Sequence, residues 1–205
     1  MTTFTWINAA GGLWDTPANW NPGSLAGPGD AALMTGIDGG NTVVIPAGDT
    51  IDVGSLVLNS GGASLELDGT LAVAGSLVLT AGALLATGSL SAGAISDASL
   101  LDFIGSHTLD ATPLSLGNGG ALQVQDAGDG AVATLTLGPN ETVTVTGASA
   151  TITGATANNE AVVNDGSIVA AVAGGHLAIT PLNFTNAGWL RVTDETLTIG
   201  YDDGY

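Results

Sequence analysis

The chain has 205 residues, one basic side chain (Arg191), 19 carboxylates and a formal net charge of −18. A nucleic-acid binder neutralises several phosphates with Lys or Arg, so this composition excludes one, together with a P-loop lysine and a basic patch for anionic membranes. No cysteine is present, which excludes a disulfide framework and thiolate metal sites.

Apolar residues make up 45% of the chain and charged residues 10%, enough to bury a core. Glycine occupies 32 positions, about twice its usual share of ~7%. Met1-Thr2-Thr3-Phe4-Thr5 has neither a basic n-region nor an apolar h-region, so no secretory signal is visible there. Gly, Asp, Asn or Ser interrupts every apolar run, which predicts no transmembrane helix.

The first 40 residues hold Trp6, Trp14 and Trp20 of the four tryptophans, with Pro17, Pro22 and Pro28. They read as an N-terminal cap (1–40), because a solenoid end otherwise exposes unpaired backbone and core. From residue 42 short strands follow one another: 42–45, 55–58, 64–67 and 70–73, then 134–137, 142–145, 150–153 and 196–199. In most of them Leu, Val and Ile alternate with Thr, Ser or Ala, as on a strand with one buried face. Gly, Thr, Val, Ser and Asn are too frequent for stable helices.

Strands this short are expected as rungs of a stack. Gly54-Ser55-Leu56-Val57-Leu58 recurs as Gly75-Ser76-Leu77-Val78-Leu79, an offset of 21 (75 − 54). Asn164-Asp165-Gly166-Ser167-Ile168 aligns with Asn186-Ala187-Gly188-Trp189-Leu190 at 22 (186 − 164), and Leu177-Ala178-Ile179 with Leu197-Thr198-Ile199 at 20 (197 − 177). The spacing predicts an all-β fold: a single right-handed parallel β-helix of about 21-residue coils over 41–205, continuous with the cap. The segment 96–131 is less regular and is expected to hold a longer loop or a distorted coil.

Two stretches carry a resemblance. The opening Trp6…Gly12-Leu13-Trp14…Asn19-Trp20-Asn21…Gly27-Pro28-Gly29-Asp30-Ala31 resembles the head that precedes β-helix repeats in large bacterial surface proteins. The corners at Asn164-Asp165-Gly166-Ser167-Ile168 and Asn186-Ala187-Gly188-Trp189-Leu190 are similar to the recurring N-x-G-x-[IL] corner of the same group, the autotransporter passengers and haemagglutinin-like adhesins. The resemblance implies a secreted or cell-surface structural protein, an adhesin, matrix or filament subunit without enzymatic activity. Its implied partners are further copies of itself or a larger surface assembly. The strand at 196–199 ends close to the final Tyr201-Asp202-Asp203-Gly204-Tyr205, which is too little to cover a coil. A last coil packing head-to-tail on the cap of the next copy is the expectation, with low pH or divalent cations relieving the repulsion between acidic copies.

The rival expectation is a β-helix that binds or cleaves carbohydrate. A resemblance to β-helical polysaccharide lyases would imply a basic catalytic residue and further basic residues for the uronate, and Arg191 alone, near Asp194 and Glu195, reads as a surface residue. A hydrolase needs converging carboxylates. Asp49 with Asp52 and Asp126 with Asp129 are close in sequence, but Asp38, Asp68, Asp129, Asp165 and Asp203 each precede Gly and read as corner residues. No catalytic residue is assigned. His107 and His176 lack metal-ligand spacing. Calcium is the one cofactor considered, at a loose carboxylate site of Asp126 and Asp129 or of Asp202 and Asp203. Trp6, Trp14 and Trp20 read as a plug of the solenoid mouth, with a sugar-stacking platform as the alternative. The T-x-T strands raise ice binding as a minor alternative.

Overall fold

In the computed structural model, residues 1–155 and 160–200 are described. The chain forms two compact units, Met1–Leu100 and Leu101–Tyr205. The architecture is a parallel β-helix, about 60% strand and 2% helix.

The first unit begins with β1 (Thr3–Trp6), β2 (Gly12–Leu13), a 3-10 turn at Pro17–Asn19 and β3 (Trp20–Asn21). Then come β4 (Ala31–Thr35), β5 (Thr42–Ile45), β6 (Thr50–Val53), β7 (Ser55–Leu67), β8 (Thr70–Ala86) and β9 (Ser89–Asp97). From β4 onward the strands stack in parallel. β4 lies on β7, β5 on β7, β6 on β8, β7 on β8 and β8 on β9. The predicted register is observed: Leu56 pairs with Leu77, and Leu58 with Leu79. All four are at most 1% exposed, so the repeat in sequence is a column of the core. Burying each such leucine contributes roughly 1.5–3 kcal/mol. The predicted strands at 55–58 and 64–67 are one continuous strand, β7, because the chain bends through Asn59 to Ala63 by register shifts without leaving the ladder.

β10 (Leu100–Ile104) opens the second unit. It is followed by β11 (His107–Leu109), β12 (Leu114–Leu116), β13 (Gly120–Gln125), β14 (Ala133–Leu137), β15 (Thr142–Val145) and β16 (Ser149–Gly154). β17 (Glu160–Asn164), β18 (Ser167–Ala170), β19 (His176–Thr180), β20 (Asn183–Asn186), β21 (Trp189–Val192) and β22 (Thr196–Ile199) complete it. Three parallel stacks result: β11-β14-β17-β20, β12-β15-β18-β21 and β13-β16-β19-β22. Inward columns run Leu114-Val143-Ile168-Leu190 and Leu122-Ile152-Ile179-Ile199.

Coil length varies. The bond from Asn164 to Asn186 spans 22 residues, as predicted, but that from Thr146 to Leu116 spans 30. The extra residues sit in corners that leave the ladder and are held by their own carboxylates. Gly128 N–H donates to Asp126 Oδ1 and Ala131 N–H to Asp129 Oδ1, each at 2.9 Å. The irregular segment 96–131 is therefore mostly strand wound into longer coils.

Candidate functional site

The cap is a tryptophan cluster. Trp6, Trp14 and Trp20 are 2%, 0% and 0% exposed. Trp20 stands between the other two, with ring centroids 5.0 Å from Trp6 and 4.6 Å from Trp14, both edge-to-face. Its Nε1–H donates to the Trp14 carbonyl at 2.8 Å, and Trp6 Nε1–H to the Asn8 carbonyl at 2.6 Å. Sugar stacking needs an open ring face, and none of the three offers one. β3 runs antiparallel on β1, pairing Trp6 with Trp20, and Pro22 follows it directly. A reversed two-residue strand ended by a proline is a poor edge for a further parallel strand over β1.

Asp126 and Asp129 line one shallow hollow of about 50 Å³ with Gly105, Ser106 and Val132. One oxygen of each carboxylate is taken by its own corner N–H. Among the described residues no three His, Asp or Glu side chains converge at metal-binding distance. Asp202 and Asp203 lie outside the described residues. Asp49 closes a turn through its N–H to the Pro46 carbonyl, and Asp52 is exposed on β6. His107 Nε2 lies 3.1 Å from the Ile104 carbonyl, and His176 Nε2 lies 2.9 Å from the Thr198 hydroxyl. Arg191 is exposed on β21.

The T-x-T strands do not stack on one another throughout. Thr144 lies between Ser115 and Val169, and Thr151 between Ala121 and Ala178. The outer faces are thus mixed small residues in place of a threonine ladder.

Buried carboxyl groups are the feature that sequence reasoning missed. Asp97, Asp102, Glu141 and Glu160 are at most 2% exposed. Glu141 Oε2 accepts the Thr112 N–H at 2.9 Å, and its Oε1 is buried without a hydrogen-bond partner. Burial pushes the Glu141 carboxyl up to about 7, against the opposing hydrogen bonds from Thr112 and Thr142, and nearby Asp110 adds to the rise. Burial likewise raises Asp102, with Gln123 opposing through its 3.1 Å bond to Oδ2 and Glu160 adding to the rise. A carboxyl poised near neutrality is a candidate general acid. Glu141, at 1% exposure, instead braces two neighbouring coils: it holds Thr112, while Asp110 accepts from the Asn140 backbone N–H at 2.8 Å. The signal lay in period two, since Glu141 is in phase with inward Val143 and Val145.

The last coil is the other distinctive surface. Val162, Ile168, Leu177 and Ile179 are fully buried. Their partners one coil on, Phe184, Leu190, Leu197 and Ile199, are not, and Ile199 is 51% exposed. Of eight exposed large apolar residues among those described, Met1, Ile7, Leu13 and Leu25 lie near the start of the chain and Leu182, Trp189 and Ile199 on or beside the last coil. At the corner of this coil Asn164 Nδ2 donates to Asn186 Oδ1 at 2.6 Å and to the Trp189 carbonyl at 3.1 Å.

Comparison with known proteins finds no family model that matches and no similar curated protein or solved structure.

Proposed function

We propose that this chain is a non-enzymatic structural protein of the bacterial exterior, a secreted β-solenoid of the adhesin or matrix-subunit class joined to other polypeptide through its last coil. The observation that carries the reading is the contrast between two successive rungs. Ile179 is fully buried and its partner Ile199 is 51% exposed. Among the described residues the inward column is half-exposed at its last rung, an apolar surface that further polypeptide can cover. The mixed outer faces, and exposed carboxylates such as Asp52, Asp110 and Asp165 that keep them hydrated, fit a structural module. The exterior location rests on the resemblance of the opening motif and the Asn-x-Gly corners.

A second reading, carbohydrate binding, is favoured by one residue. Trp189 is 78% exposed on an outer face, where a sugar ring could stack. A glycan array and polysaccharide depolymerisation assays on the purified chain separate the two. The structural reading expects neither binding nor cleavage. Micromolar glycan affinity abolished by Trp189→Ala, or any cleavage, overturns it.

A further inference from the structure

The cap and the last coil are unequal as docking surfaces. At the cap the strand over β1 is reversed, short and ended by Pro22, and the three tryptophans are at most 2% exposed. The last coil is the opposite. β20, β21 and β22 are hydrogen-bonded to β17, β18 and β19 on one side. No proline lies within them, and among the described residues their other side carries no strand.

The middle strand of this edge is self-complementary. Along β21 the outward residues are Trp189 and Arg191, and the inward residue between them is Leu190, which continues the column from Ile168. Trp189 is the exposed tryptophan of this unit, and Arg191 is the single arginine of the chain. An antiparallel partner strand keeps outward residues facing outward residues. Laid against its own copy about Leu190, β21 sets Leu190 on Leu190, and Trp189 of each copy beside Arg191 of the other. That pairing joins an exposed cation to an exposed ring twice, and each such pair is favourable. The same two-fold brings β20 of one copy to β22 of the other, so the inward columns ending at Phe184 and Ile199 close on each other.

We infer that the last coil is a homodimer surface, on which two copies join tail-to-tail about a two-fold axis at Leu190, with Trp189 and Arg191 as reciprocal cation–aromatic pairs. This rests on the reading of the last coil as the joining surface and adds its occupant. A two-fold contact closes, so the product is a discrete dimer and not the open head-to-tail filament that the sequence suggests.

Sedimentation velocity of the full chain over a wide dilution series tests it. The expected result is a concentration-dependent dimer. Trp189→Ala and Arg191→Ala each weaken it roughly tenfold or more, because every dimer holds two such pairs. The double variant loses less than the two single effects combined, since both remove the same pair. Both side chains point outward, so circular dichroism of the variants is expected to match the parent. Leu13→Asp at the cap leaves the dimer intact. Acrylamide quenching supplies a readout without substitution: Trp189 becomes shielded as the parent protein is concentrated, while the three cap tryptophans stay buried throughout. A monomer at every concentration, a ladder of larger species, a dimer indifferent to Trp189 and Arg191, a dimer broken by Leu13→Asp, or unchanged quenching each overturns the proposal. A monomer that neither binds nor cleaves glycan overturns the dimer alone; a dimer that cleaves polysaccharide overturns the structural reading alone.

Discussion

Thr112 donates its backbone N–H to Glu141 Oε2 across 29 residues of chain, at 2.9 Å. The acceptor is 1% exposed, and its folded-state carboxyl titrates at about 7 against 4.5 for an ordinary glutamate. A raised folded-state value means that the stabilisation is complete below about 4.5 and is lost as pH rises through about 7. The loss is on the order of 2–3 kcal/mol after allowance for partial solvent screening. Asp102 shifts in the same direction, through burial. Glu141→Gln keeps an acceptor for Thr112 and removes the titration. The urea midpoint of the parent is expected to fall between pH 5 and pH 8, and that of the Gln variant to fall less. Parallel slopes would place the pH dependence elsewhere.

The cap gives a contrast between two buried indoles. Trp20 Nε1–H donates to the Trp14 carbonyl at 2.8 Å, whereas Trp14 Nε1 is buried without a partner. Trp20→Phe strands a buried carbonyl, but Trp14→Phe removes an unsatisfied donor. Both lose ring volume. Trp20→Phe is therefore expected to cost about 1–2 kcal/mol more than Trp14→Phe in thermal or chemical unfolding.

Stacked glycines mark where coils touch backbone to backbone. A Cβ on Gly88 would lie 2.0 Å from the Gly69 carbonyl oxygen, and one on Gly188 would lie 2.1 Å from that of Gly166. Neither oxygen can move without breaking the ladder. Gly88→Ala and Gly188→Ala are each expected to cost about 1–3 kcal/mol or more, read as a drop in unfolding midpoint.

Asn164 is fully buried, and its amide donates to both Asn186 Oδ1 and the Trp189 carbonyl. Asn164→Ala removes both bonds and leaves a cavity under the last coil. A cost of about 2–4 kcal/mol follows. Proteolysis is expected to begin within β20 to β22 in this variant, and protection equal to the parent would contradict the ladder's role.

Much of the fold was legible because a coil repeats its contacts in sequence. Leu56 with Leu77, Asn164 with Asn186 and Leu177 with Leu197 were each aligned by residue type, and each pair is a register pair. The longer coils of the second unit were not legible, since their extra residues lie in corners such as Asp126 to Ala131 that contribute nothing to the inward pattern. The buried carboxyls escaped for a related reason. Glu141 occupies the inward phase of Val143 and Val145, and Asp97 that of Ile95, but a charge in a corner reads as solvated. The clustering of Trp6, Trp14 and Trp20 was legible in their sequence placement, and their burial follows from their apolar area. The self-complementarity of Trp189-Leu190-Arg191 became visible only once the structure showed which side each residue faces.

The last coil is proposed to be a surface that is covered in solution. Hydrogen–deuterium exchange of the peptide spanning Trp189 to Val192, at high and at low protein concentration, tests this most directly. Slow exchange that becomes fast on dilution, with the cap peptides unchanged, is the predicted result. Fast exchange of this peptide at both concentrations would contradict the account.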